Sequence, residues 1–129
     1  MCNIYSTGQL DIRGSCSGTY NKQRKEITTP NYPSPYTHSK TCTWNIDAPS
    51  GKRVELRFLA FNLESASSCR YDWLQAYDGS STSARKNGDK HCGSTSPSNI
   101  VSTGNRLFLK WRSDDDTAKS GFKITCRVK

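Results

Sequence analysis

The sequence is poor in several things, and each shortage removes a class of function. It has two histidines, His38 and His91, and one methionine. Two histidines leave little room for general-base catalysis. No HExxH, GxSxG or Walker pattern occurs anywhere in the chain, so the common hydrolase and nucleotide-binding motifs are missing. No apolar run is long enough to cross a bilayer, so no membrane insertion is expected. No basic-then-apolar leader opens the chain. Met1 directly ahead of Cys2 reads as an added start on a mature secreted chain whose signal has been removed. No Asn-x-Ser/Thr sequon is present, and N-glycosylation is not expected. None of the six cysteines is spaced as CxxC, which argues against a zinc knuckle or a thioredoxin-type site.

Hydrophobic residues make up only 33% of the 129, with a mean hydropathy of −0.80. That length fits one domain, and a core this lean is helped by disulfides. Six cysteines can supply three bridges and point to an oxidising, extracellular compartment. Spacing alone leaves fifteen pairings open.

Lys and Arg outnumber Asp and Glu nineteen to eleven, giving a net charge of +8. A body this basic suits polyanionic partners such as heparin. The clusters are Lys22-Gln23-Arg24-Lys25, Lys52-Arg53 and Arg85-Lys86. The oxidised compartment disfavours nucleic acid. The acids, in contrast, are focused. Glu64, Asp72, Asp114, Asp115 and Asp116 occupy two short segments, and the other six are scattered.

Apolar and polar residues alternate over 43–47, 54–58, 73–77, 106–112 and 122–128, the period of half-buried strands. Turn signals separate them at Pro49-Ser50-Gly51, Asp78-Gly79, Asn87-Gly88 and Ser120-Gly121. Helical periodicity is nowhere sustained. The fold class is therefore all-β, a sandwich or barrel. Residues 78–99 are rich in Gly, Ser and Asn and read as loops. The stretch to about Gly18 has no clear period. Pro33 and Pro35 keep 31–36 out of a central strand and make it a loop or edge capped by tyrosines.

Several motifs together carry a family resemblance. The run Pro30-Asn31-Tyr32-Pro33, then Tyr36, then Cys42-Thr43-Trp44-Asn45-Ile46, resembles the opening of a CUB domain. The segment 58–64 followed by Cys69-Arg70-Tyr71-Asp72-Trp73-Leu74 is similar to that family's central motif. Asp78-Gly79, Cys92-Gly93, the strand 107–111, Ser113-Asp114 and Gly121-Phe122 complete the order. The resemblance implies a jelly-roll-type β-sandwich of two antiparallel sheets. It implies a domain over 16–129 preceded by an N-terminal extension, 1–15. It implies disulfides Cys16–Cys42 and Cys69–Cys92. Cys2 and Cys126 lie outside that four-cysteine pattern and are expected to bond to each other, tying the extension to the last strand.

Carboxylates are hard oxygen ligands that suit Ca2+. An acidic loop can equally be a solvated surface, and charge alone does not choose. The resemblance does. Calcium-binding members of the family carry a tyrosine, a glutamate and two aspartates in this arrangement. Residue by residue these fall on Tyr36, which the resemblance implies orients Glu64 by hydrogen bonding without contacting the ion, and on the ligands Glu64, Asp72 and Asp114, with a further main-chain oxygen near Asp116. Asp115 and Asp116 are departures that add negative charge. The implied function is a non-catalytic, secreted or ectodomain module. Its calcium-ordered site captures a Lys or Arg of a partner protein. Glu64 and Asp114 would be shared between ion and partner, with Tyr36 packed on the partner's aliphatic stem. The alternative is a free-standing, spermadhesin-like module that binds glycan or heparin.

Overall fold

A computed structural model describes residues 2–6, 26–30, 32–36, 39–114 and 118–129. The described residues form nine strands in two antiparallel sheets. They are β1 (Asn3–Ser6), β2 (Glu26–Thr28), β3 (Thr41–Asp47), β4 (Val54–Asn62), β5 (Trp73–Asp78), β6 (Arg85–His91), β7 (Ile100–Val101), β8 (Arg106–Arg112) and β9 (Gly121–Val128). The five-stranded sheet has the order β1-β3-β8-β5-β6, and the four-stranded sheet β2-β9-β4-β7. This is the expected all-β sandwich.

The alternation in the sequence becomes the core. From β3, Cys42, Trp44 and Ile46 point inward at 0% exposure, and from β8 Leu107, Leu109 and Trp111 do the same. The facing sheet contributes Val54, Leu56, Phe122 and Ile124. Trp44 and Trp111 each meet the Phe122 ring edge-on, at 6.1 and 6.3 Å between centroids, the geometry aromatic rings prefer.

One irregularity aims a side chain. The β4–β9 register slips between Phe58 and Ala60, leaving Leu59 bulged out at 52% exposure. A strand's side chains alternate with a period of two, so one inserted residue reverses the phase. Val54 and Leu56 face inward before the bulge, and Phe61 and Leu63 after it. The strand therefore delivers Glu64 to the rim of the sandwich.

Residues 78–99, read as loops from their composition, contain β6 (Arg85–His91). This edge strand has almost no apolar residue and is largely exposed, so no alternation marks it. Its pairing with β5 through Tyr77↔Lys86 and Asp78↔Arg85 is what makes it a strand. At the other edge, Asn3–Ser6 pairs with β3, so part of the expected extension is a strand of the sheet.

Two disulfides join described residues. Cys2–Cys126 spans 124 positions and links the edge of one sheet to β9 of the other. Cys69–Cys92 closes the loop between β4 and β5 against the end of β6. The expected Cys16–Cys42 bridge involves Cys16, which lies outside the described residues.

Candidate metal centre

The sheet register brings two distant aspartates together. β5 and β8 are antiparallel neighbours whose last pair at this end is Trp73↔Arg112. One step further along each strand lie Asp72 and Ser113, and then Asp114. The Asp114 N–H donates to Asp72 Oδ1 at 2.8 Å. Ser113 is buried and fixed on its other side: its N–H donates to the Lys40 carbonyl at 2.9 Å, and its Oγ accepts from the Lys40 N–H at 3.0 Å. The Asp114 carbonyl accepts from Ser39 at 2.7 Å.

Glu64 arrives from the opposite sheet. Its approach is set by Leu63, whose N–H donates to the Gly93 carbonyl at 2.9 Å, beside the Cys69–Cys92 bridge. Within that loop Ser68 and Cys69 adopt φ of 57° and 48°. Left-handed residues cost about 1–2 kcal/mol each, and the disulfide helps hold them.

Tyr36 connects the two sides. Its hydroxyl donates to Asp72 Oδ2 and accepts the Glu64 backbone N–H at 3.3 Å. Its own N–H donates to the Lys119 carbonyl at 3.1 Å, and its ring meets Trp111 edge-on at 5.3 Å. Sequence reasoning had this ring against a partner's side chain. The ring is instead 2% exposed, packed into the end of the core.

Glu64, Asp72 and Asp114 each offer a carboxylate oxygen, and these oxygens lie within 4.8 Å of one another. Asp72 is fully buried, while Glu64 and Asp114 are half-buried and reach the surface. Burial pushes the Asp72 carboxyl above its ordinary value, and the Asp114 carboxylate beside it adds to the effect. Hydrogen bonds from Tyr36 and the Asp114 N–H oppose the rise. The Tyr36 hydroxyl is pushed up as well, by burial and then by Asp72. Carboxylates this close disfavour one another's charge unless a cation lies among them. Oxygens that share one hard cation at 2.3–2.6 Å each lie within about 5 Å of one another. The three carboxylates meet that condition. Asp115 and Asp116 lie outside the described residues.

The CUB domain family model matches residues 16–126. The chain belongs to the CUB family. It is 40% identical to cubilin of Canis lupus familiaris over 116 residues, which are 87% of this chain and 3% of cubilin. It is 40% identical to tolloid-like protein 2 of Homo sapiens over 108 residues, 84% of this chain and 10% of that protein. The chain thus spans a small fraction of the length of these curated relatives. Among solved structures it is similar to the MASP-1 CUB2 domain bound to Ca2+, with 31% identity and a TM-score of 0.69. That match covers 79% of this chain and 89% of the other. It is also similar to the full extracellular region of zebrafish Gpr126/Adgrg6, with 36% identity and a TM-score of 0.70, covering 80% of this chain and 13% of that one. CUB domains are non-catalytic protein-interaction modules, and this chain has that fold.

Of the basic clusters singled out in the sequence, Lys52-Arg53 follows the turn after β3 and Arg85-Lys86 begins β6. The cluster at 22–25 lies outside the described residues. Sequence reasoning missed Lys90 and Lys110, which stand over the Trp73 ring with Nζ at 4.4 and 5.9 Å from its centroid. They are isolated along the chain. The alternation of β8 was the available signal, because it turns Lys110 outward while Leu109 and Trp111 face inward.

Proposed function

We propose that Glu64, Asp72 and Asp114 hold one Ca2+ and that the loaded site captures a Lys or Arg side chain of an extracellular partner protein. The observation that carries this reading is the convergence of three carboxylate oxygens within 4.8 Å at one end of the sandwich. The Ca2+ in the similar MASP-1 CUB2 domain supports it. Asp116 is assigned a further ligand oxygen. When bound, the ion supplies fixed positive charge, and the chain's residues do the rest. Tyr36 positions: it braces Asp72 and the Glu64 main chain from within the core and does not touch the partner. Glu64 and Asp114, half-buried at the rim, would accept from an incoming ammonium or guanidinium. Charge-assisted hydrogen bonds are strongest to acceptors already in place, and a pre-ordered site loses less entropy on binding. The module acts outside the cell, secreted or within a larger ectodomain, and catalyses nothing itself.

Titration calorimetry of Ca2+ into metal-stripped protein tests this directly. One site per chain is expected, and Asp114→Ala should remove it while the β-sheet spectrum is retained. An ion bound only by the folded state also stabilises it, by about 2.7 kcal/mol at one hundred times its Kd. The absence of any Ca2+-dependent heat or stabilisation at millimolar ion would show the acids to be a solvated loop.

A second reading, binding of heparin or another polyanionic glycan, is favoured by a separate observation. Lys86, Lys90, Lys110 and Arg112 make no ion pair among the described residues.

A further inference from the structure

The two outer faces of the sandwich treat their cations differently. On the four-stranded sheet, Lys123 pairs with Glu26 at 3.5 Å, and Arg127 and Lys129 pair with Glu55 at 2.5 and 3.6 Å. On the five-stranded sheet Arg106 pairs with Asp47 at 4.0 Å at one end, and Lys86, Lys90, Lys110 and Arg112 make no ion pair among the described residues. Register places Trp73 beside Arg112, Gln75 beside Lys110 and Tyr77 beside both Phe108 and Lys86. Neighbours in register share a face, and this face is opposite the one that buries Leu74, Ala76 and Leu109. Lys90 joins it, since its ammonium lies over Trp73. Asp89 stands in the same strand, and no ion pair joins it to Lys86 or Lys90 among the described residues.

We infer that this outer face of β8, β5 and β6 is a binding surface for a sulfated polysaccharide of the heparan type, seated on Lys86, Lys90, Lys110 and Arg112. The inference rests on the polyanion reading and gives it a place. The charges are spread in two dimensions. Lys110 and Arg112 are two residues apart on β8, about 7 Å, Lys86 and Lys90 are four apart on β6, where a register slip against β5 shortens the span below that of a straight strand, and β8 and β6 are about 10 Å apart across β5. A single small anion cannot reach all four. A linear chain with anionic groups along its length can. The surface is also partly ordered in advance. Trp73 is 8% exposed because Lys90 and Lys110 lie over it, so two otherwise mobile ammonium groups are held on one ring. Those two like charges repel, and a sulfate between them removes the repulsion.

The test measures binding of a size-defined heparin fragment to the full chain by calorimetry, with chelator present so that the acidic site does not contribute. Lys90→Gln with Lys110→Gln is compared with Lys52→Gln with Arg53→Gln, which removes the same charge from exposed positions on the β3–β4 turn. The first pair should weaken binding at least tenfold and flatten its salt dependence. The second should change it less than twofold. Equal losses in both pairs would overturn the site and leave diffuse charge as the cause. Unchanged heparin binding in the first pair, with loss of binding to phosphatidylserine vesicles, would assign the face to a membrane instead. No heparin binding by the unaltered protein would remove the polyanion reading and this site with it, without touching the Ca2+ reading.

Discussion

Tyr36 shows how much one side chain can organise. Its hydroxyl is both donor to Asp72 and acceptor from Glu64, and so it bridges groups that come from opposite sheets. Tyr36→Phe keeps the ring and its edge contact with Trp111 but removes both hydrogen bonds. The Glu64 N–H and an Asp72 oxygen would each lose a partner in a partly buried place. The expected cost is about 1–3 kcal/mol, seen as a lower midpoint in urea unfolding at unchanged m-value. Residues that orient metal ligands typically change affinity by 10–100-fold when removed. Calcium affinity should therefore fall about tenfold or more in the same variant. An unchanged affinity beside a lowered stability would confine the Tyr36 hydroxyl to holding the fold.

At the scale of elements, the sandwich rests on strands of two kinds, and they differ in how visible they are. β3, β8 and β9 carry Trp44, Ile46, Leu109, Trp111 and Ile124 on one face and, Phe108 apart, mostly polar residues on the other, so their alternation is plain in the sequence. β6, with the sequence RKNGDKH, buries almost nothing. Its lysines protect an exposed edge, and no hydrophobic period reveals an element whose stability comes from backbone pairing. β1, β2 and β7 have four residues or fewer, too short for a period to show. The site divides in the same way. Glu64, Asp72 and Asp114 were legible as an acidic focus. The bulge at Leu59 that turns Glu64 to the rim has no such mark, and neither does the burial of Tyr36. The Cys2–Cys126 bridge makes up for the weakness of one edge. Among the described residues β1 has a single neighbour, β3, and the disulfide joins its start to the opposite sheet. In the chain-entropy account, closing a loop this long contributes up to about 4–5 kcal/mol. Cys2→Ala with Cys126→Ala should lose most of that in denaturant unfolding. Amide exchange should then speed up first in Asn3–Ser6. Uniform acceleration across both sheets would show that the bridge supports the whole sandwich and not this edge.

On the scale of the whole molecule, charge links stability to pH. The protein carries nineteen Lys and Arg, and protonating its eleven acids leaves them to repel one another. One acid contributes in a specific way. Glu55 on β4 is 6% exposed and accepts from Arg127 Nε at 2.5 Å, with Lys129 Nζ at 3.6 Å and Asn99 Nδ2 at 3.5 Å. The hydrogen bond from Arg127 holds its carboxyl below the ordinary value of 4.5, and the charges of Arg127 and Lys129 add to this against the opposing effect of burial. A carboxylate with a depressed pKa in the fold stabilises it fully above the unfolded value. That contribution is lost as pH falls through the folded value, because only then is the folded state protonated too. Glu55→Gln should therefore be less stable than the parent at neutral pH, by an amount that stays constant down to about pH 5. Below that the two curves should converge. Asp72, whose pKa is shifted upward, follows the opposite course, but it is present in both proteins and cancels in the difference. Urea midpoints between pH 7 and pH 3 provide the measurement. Curves that stay parallel down to pH 3 would show that the effect of Glu55 does not depend on its ionisation, and that general repulsion alone accounts for the loss of stability in acid.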